Sequence, residues 1–129
     1  MTTELTVLAL AALLQGTQFV LFSVLANLQI GPKVAMGPRD HPPELTGYAG
    51  RAGRALSNHF EGLILFSIAV LIVTAGGQAS TLTATCAWIY LGARLVYVPA
   101  YLLGWSPGRS IIWGIGFFAT MLMILASLL

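Results

Sequence analysis

Arg51, Arg54, Asn58 and Glu61 recur at spacings of three and four residues. At about 100° per residue of helix they fall within an arc of roughly 80°, so a helix through this stretch presents them on one face. Tyr90, Arg94, Tyr97 and Tyr101 repeat the pattern further along the chain, within an arc of roughly 60° by the same arithmetic. Arg109 follows just after Ser106-Pro107, a pair that reads as an N-cap with proline in the first helical position. The guanidinium groups of Arg51, Arg54, Arg94 and Arg109 outnumber the acid Glu61, and such a surplus suits an anion. An arginine near a helix start adds its charge to exposed backbone N–H groups and the positive end of the helix dipole, which favours a carboxylate, phosphate or thiolate. A thiol held there loses its proton more readily.

The elements that must carry these side chains are membrane spans. The chain has 129 residues, 57% hydrophobic and only 8% charged, with a mean hydropathy of +0.87, outside the composition of soluble domains. A hydrocarbon core about 30 Å thick takes about 20 helical residues to cross. The sequence therefore predicts one all-α integral membrane domain over residues 1–129, a four-helix bundle with spans at 5–28, 48–75, 82–103 and 107–129. Residues 29–48 hold four prolines together with Lys33, Arg39, Asp40, His41 and Glu44, and read as the one long loop. Gly76-Gly77 and Gly104 end the second and third spans, and Pro99 is expected to kink the third. The opening Met1-Thr2-Thr3-Glu4 lacks the basic start of a signal peptide, so the first apolar stretch is expected to be a retained span.

Lysines and arginines fall in the first loop, at the start of the second span and at Arg109, with none in the second loop or at either terminus. The positive-inside rule then places loops one and three in the cytoplasm and both termini outside, and in a bacterial source it implies the inner membrane. Six basic residues, with a net charge of +2, are too few for a nucleic-acid footprint. Cys86 is the only cysteine, so no disulfide framework forms within the chain, and inside an apolar run it reads as a packing residue. His59 stands off the arginine face by roughly 80° and His41 lies in the proline-rich loop, so no metal site is expected. Trp88, Trp105 and Trp113 read as interface-belt anchors. Gly50, Gly53, Gly62, Gly92, Gly114 and Gly116 read as permitting close helix packing.

An ionised side chain near the middle of a bilayer costs roughly 2.5 to 3.5 kcal/mol on insertion scales. The intramembrane charges should therefore face inward and pair, and compatible depths make Glu61 with Arg94 the expected pair. Such a pair can equally serve only to fix helix register or an interface between copies.

The stretch Arg51-Ala52-Gly53-Arg54-Ala55-Leu56-Ser57-Asn58-His59-Phe60-Glu61 resembles a signature of the membrane-associated proteins in eicosanoid and glutathione metabolism, the MAPEG family. Arg94-Leu95-Val96-Tyr97-Val98-Pro99-Ala100-Tyr101, with Arg109-Ser110 after it, is similar to that family's second signature. The resemblance covers essentially the whole chain. It implies a homotrimer in the membrane lipid, with glutathione as co-substrate held between subunits near the cytoplasmic face. It also implies that Arg51, Arg54, Asn58, Glu61, Arg94, Tyr97 and Tyr101 contact or support the glutathione, and that Arg109 stabilises the thiolate for attack on a lipophilic electrophile or hydroperoxide. The chain departs from the pattern at Leu25-Ala26-Asn27-Leu28, where several family enzymes carry a basic residue, and at Ser57 and His59, where another is frequent.

Two readings follow from the resemblance: a glutathione-dependent transferase or peroxidase acting on lipophilic small molecules, or a non-catalytic member of the same fold that binds a lipid or a partner. A small four-span exporter ranks below both, because it needs an acid deep in a charge-free span.

Overall fold

The computed structural model describes residues 1–38 and 44–129; Arg39, Asp40 and His41 of the long loop lie outside the described residues. The described residues form helices and no strand, in the order α1 (Thr3–Ile30), α2 (Pro32–Ala35), α3 (Gly47–Ala75), α4 (Thr81–Leu102) and α5 (Ser106–Leu128). All but α2 are long and apolar enough to cross a membrane.

Each helix boundary has a local cause. Thr2 caps α1 by accepting the Leu5 N–H at 3.2 Å, which starts the helix ahead of its apolar run. At the far end of α1 the Gln29 side-chain amide grips the peptide of Thr46 from both sides: Nε2 donates to the Thr46 carbonyl and Oε1 accepts its N–H, each at 2.9 Å. One side chain thus ties the end of α1 to the residue that opens α3. Ser80 and Thr83 form a reciprocal capping box at the start of α4, which satisfies two otherwise orphaned N–H groups. Pro99 lies inside α4, whose helix runs on to Leu102. Gly104 turns the chain from α4 to α5 at φ 74°, a conformation that favours glycine.

The start of α5 differs from expectation by one residue. Trp105 holds the N-cap position without a side-chain cap, Ser106 is the first helical residue, and Pro107 follows it. Proline is tolerated there because the N–H it lacks would have had no intrahelical partner. Arg109 donates its N–H to the Trp105 carbonyl at 3.0 Å and so closes the first turn.

Among the described residues α3 and α4 pack against each other in the middle of the bundle, α1 and α5 each pack against both, and α1 and α5 do not touch. The contact surfaces are rich in small residues, including Ala11, Ala52, Ala55, Ala69, Ala87 and Ala119, all buried. In lipid the apolar effect does not drive helices together, so close approach of backbones at small residues supplies the packing energy. Gly53 shows the tolerance: a Cβ there would lie 2.8 Å from Cε1 of Phe22 on α1. Large apolar side chains point outward instead, among them Leu13, Phe19, Ile64, Leu71, Phe118 and Leu125, the inverse of a soluble bundle and the surface that lipid chains contact.

Two buried contacts tie the helices together inside the bundle. Glu4 is only 2% exposed and accepts a hydrogen bond from the Thr83 hydroxyl at 3.0 Å, joining the start of α1 to the start of α4. Phe66 of α3 and Tyr90 of α4 stack in the core with ring centroids 4.0 Å apart.

Candidate functional site

The polar faces of α3 and α4 meet toward the N-terminal half of α3, and α5 closes on them with its first turns. Arg54, Ser57, Asn58, Glu61, Tyr97, Tyr101 and Arg109 line one cleft of about 680 Å³, with Phe22 of α1 and Leu45 completing its wall. Six of the sequence-derived site residues thus share one opening. Its volume falls within the range of small-molecule sites, roughly 300 to 1,000 Å³.

Tyr101 organises the cationic side of this cleft. Its hydroxyl accepts from Arg54 Nε at 3.1 Å, the Arg109 guanidinium carbon lies 4.5 Å from its ring centroid, and the Tyr97 ring packs against it at 5.6 Å. Cations over aromatic faces are held with about 0.5 to 1 kcal/mol at exposed sites, enough to orient Arg109 without neutralising it. No ion pair of Arg54 or Arg109 with an acid occurs among the described residues, so both charges remain available to an anion.

Arg51 and Arg94 stand apart from the cleft wall. Arg51 Nη1 donates to the Leu102 carbonyl at 3.1 Å, one of the carbonyls that the end of α4 leaves without an intrahelical partner. Its guanidinium lies beside Gly104, where a Cβ would come within 3.5 Å of it. Arg51 therefore clamps the start of α3 to the α4–α5 turn.

Arg94 is 3% exposed, and the pairing expected for it with Glu61 does not form. Its Nη1 donates to Asn58 Oδ1 at 2.8 Å and its Nε to His59 Nδ1 at 3.3 Å, while Glu61 stays exposed at the rim. His59 Nε2 in turn lies 3.1 Å from the carbonyl oxygen of Ala11 on α1. A carbonyl only accepts, so Nε2 carries the proton and Nδ1 is free to accept from the guanidinium. Neutral acceptors thus hold a buried cation, and His59 joins α1, α3 and α4.

Helical arithmetic set His59 aside because it lies off the arginine face. That offset is what turns it toward α1, and its place one residue after Asn58 was the available signal. No cluster of His, Cys, Asp or Glu suited to a metal occurs among the described residues.

A second, smaller cavity of about 140 Å³ adjoins the cleft at Glu61. It is lined by Gly62 and Leu65 of α3, Tyr90 and Arg94 of α4, and Trp113, Gly116, Phe117 and Thr120 of α5. Trp113, expected as a membrane-interface anchor, lines this cavity and also a shallow recess with Asn58, Tyr97, Arg109 and Ser110. Cys86 is buried in the apolar core and lines neither space, facing instead an apolar recess with Ile89, Ile111, Ile115 and Phe118.

Comparison with curated proteins and with solved structures returned no match. The MAPEG family profile, in contrast, matches residues 7–129, nearly the whole chain and every element that builds the site. With four membrane-crossing helices carrying that match, the protein is an integral multi-pass membrane protein that belongs to the MAPEG family.

Proposed function

We propose that the protein is a glutathione-dependent transferase or peroxidase acting on lipophilic electrophiles that reach it through the bilayer. The observation that carries this reading is the pair of guanidinium groups at the cleft, Arg54 and Arg109, both held against Tyr101 and neither in an ion pair among the described residues. Membership of the MAPEG family, which contains glutathione transferases and peroxidases, supports glutathione as the co-substrate. Arg54, Asn58 and Ser57 receive the peptide portion of glutathione, Tyr97 and Tyr101 form the wall behind it, and Arg51 and Arg94 position these groups from outside the cleft. Arg109 closes the first turn of α5 and holds the sulfur as thiolate for nucleophilic attack. The assembly is a homotrimer that completes the cleft between subunits, with loops one and three and the site at the cytoplasmic face, both termini outside, and the inner membrane as its location in a bacterium.

The non-catalytic alternative draws on the wall that α1 contributes to the cleft, which is the apolar Phe22 and no basic group. Titration of the detergent-solubilised protein with glutathione, followed by thiolate absorbance near neutral pH, separates the two. A saturable signal that Arg109→Ala abolishes is the expected result, and absence of binding together with a co-purifying lipid would replace the enzyme reading with the alternative.

A further inference from the structure

The small cavity beside the cleft contains two buried donors that find no partner among the described residues. Arg94 and Tyr90 are each 3% exposed, and Arg94 Nη2 and the Tyr90 hydroxyl make no hydrogen bond to any described residue, although both side chains line the same space of about 140 Å³. Burying such groups unsatisfied costs roughly 1 to 3 kcal/mol each, and more for a charged one, so a membrane protein that keeps both facing one cavity has a use for an acceptor there. Glycines keep the space open. A Cβ at Gly62 would sit 3.4 Å from the Tyr90 hydroxyl, and one at Gly116 would sit 3.6 Å from the Tyr90 ring.

The remaining wall narrows the chemistry of that acceptor. Leu65 and Phe117 are apolar, Trp113 brings only a donor in its indole N–H, the Thr120 hydroxyl is committed to the Gly116 carbonyl at 2.9 Å, and Glu61 at the rim disfavours a second acid. A neutral oxygen with two free lone pairs and an apolar body satisfies every one of these groups. The volume lies well under that of an ordinary small-molecule site, which suits one functional group and excludes a tripeptide.

We infer that this cavity is a subsite for the carbonyl oxygen of a lipophilic ligand, held between Arg94 Nη2 and the Tyr90 hydroxyl. It rests on the transferase reading for its chemistry and names the substrate class as conjugated long-chain carbonyl compounds. The glutathione sulfur forms a bond to the β carbon, and the carbon–carbon π pair shifts so that negative charge develops on the carbonyl oxygen. Arg94 and Tyr90 stabilise that charge, and a proton from water is taken up at the α carbon. Every atom and electron pair of the thiolate and the enone is then accounted for in the adduct. Glu61 lines both the cleft and this cavity, so thiolate and electrophile meet across it.

The subsite is tested without glutathione, using a ketone that cannot react. Proteoliposomes loaded with 2-undecanone carrying carbon-13 at the carbonyl are followed by magic-angle-spinning NMR. Wild type should show a saturable second ketone resonance downfield of the lipid-dissolved one. Tyr90→Phe keeps the ring that stacks on Phe66 and should weaken this binding roughly fivefold, the worth of one hydrogen bond, and move the bound resonance upfield. Gly62→Ala should weaken it also. A wild-type spectrum with only the lipid-dissolved resonance overturns the subsite, as does a bound resonance that neither variant alters. A bound resonance in protein that fails to bind glutathione leaves the subsite standing and removes the transferase, whereas glutathione binding with no bound ketone does the reverse.

Discussion

His59 accepts a hydrogen bond from Arg94 through Nδ1 at 3.3 Å while its Nε2 is turned to the Ala11 carbonyl. The buried cation of α4 is thereby referred to the backbone of α1 through a neutral ring on α3. Replacing His59 by alanine leaves Arg94 Nε without an acceptor and should destabilise the protein by about 1 to 3 kcal/mol, read as a lowered unfolding midpoint in detergent. Glutamine, which offers both an acceptor and a donor, should recover part of the loss. Equal midpoints for His59→Ala and wild type would show that the network contributes nothing.

Arg109 and Arg51 should separate function from structure. Arg109→Ala is expected to cost no more than about 1 kcal/mol of stability, the worth of its contact with the Tyr101 ring, and to lose at least tenfold in glutathione-conjugating rate. Arg51→Ala removes the clamp on the Leu102 carbonyl and should lower stability by about 1 kcal/mol, with glutathione affinity less affected than by Arg54→Ala. An Arg109→Ala protein at full rate would remove the thiolate stabiliser.

Glu61 has no ion-pair partner among the described residues, so Glu61→Gln should leave stability nearly unchanged. Had it paired with Arg94 in the buried interior, removing one partner would cost about 3 to 5 kcal/mol. A drop of that size in the unfolding midpoint would restore the ion pair.

Gly53 and Phe22 set the spacing of α1 and α3. Gly53→Leu forces a branched side chain into a place where even a Cβ would lie 2.8 Å from the Phe22 ring, and overpacking of this kind costs about 1 to 3 kcal/mol. Adding Phe22→Ala should return part of that loss. If the double variant is less stable than the sum of the two single changes, the two side chains do not compete for one space.

Thr83→Val keeps the shape of the side chain and removes the hydroxyl that Glu4 accepts from. The buried carboxyl then loses a partner, with a cost of about 1 to 3 kcal/mol. Hydrogen exchange should rise first at the starts of α1 and α4, and unchanged protection there would deny the contact its role.

The sequence by itself determined the four membrane-crossing helices, since lipid leaves the backbone little choice but to bond within each apolar run. It also determined that Arg54, Asn58 and Glu61 share a face of one helix and Tyr97 and Tyr101 a face of another, because helical periodicity is local. The turns at Gly76-Gly77 and Gly104 were legible for the same reason, whereas the capping box at Ser80 and Thr83 emerged only in the structure. The tertiary structure alone decided which charge meets which acceptor. Depth and sign matched Arg94 to Glu61, but the packing of α4 against α3 brought Asn58 and His59 to the guanidinium and left Glu61 at the rim. Arg51 shares its helix face with Arg54, yet a position one turn nearer the start of α3 places it against the Leu102 carbonyl. The small cavity could not be read along the chain at all, for its walls are single residues of α3, α4 and α5 whose convergence depends on the distance and rotation of three packed helices.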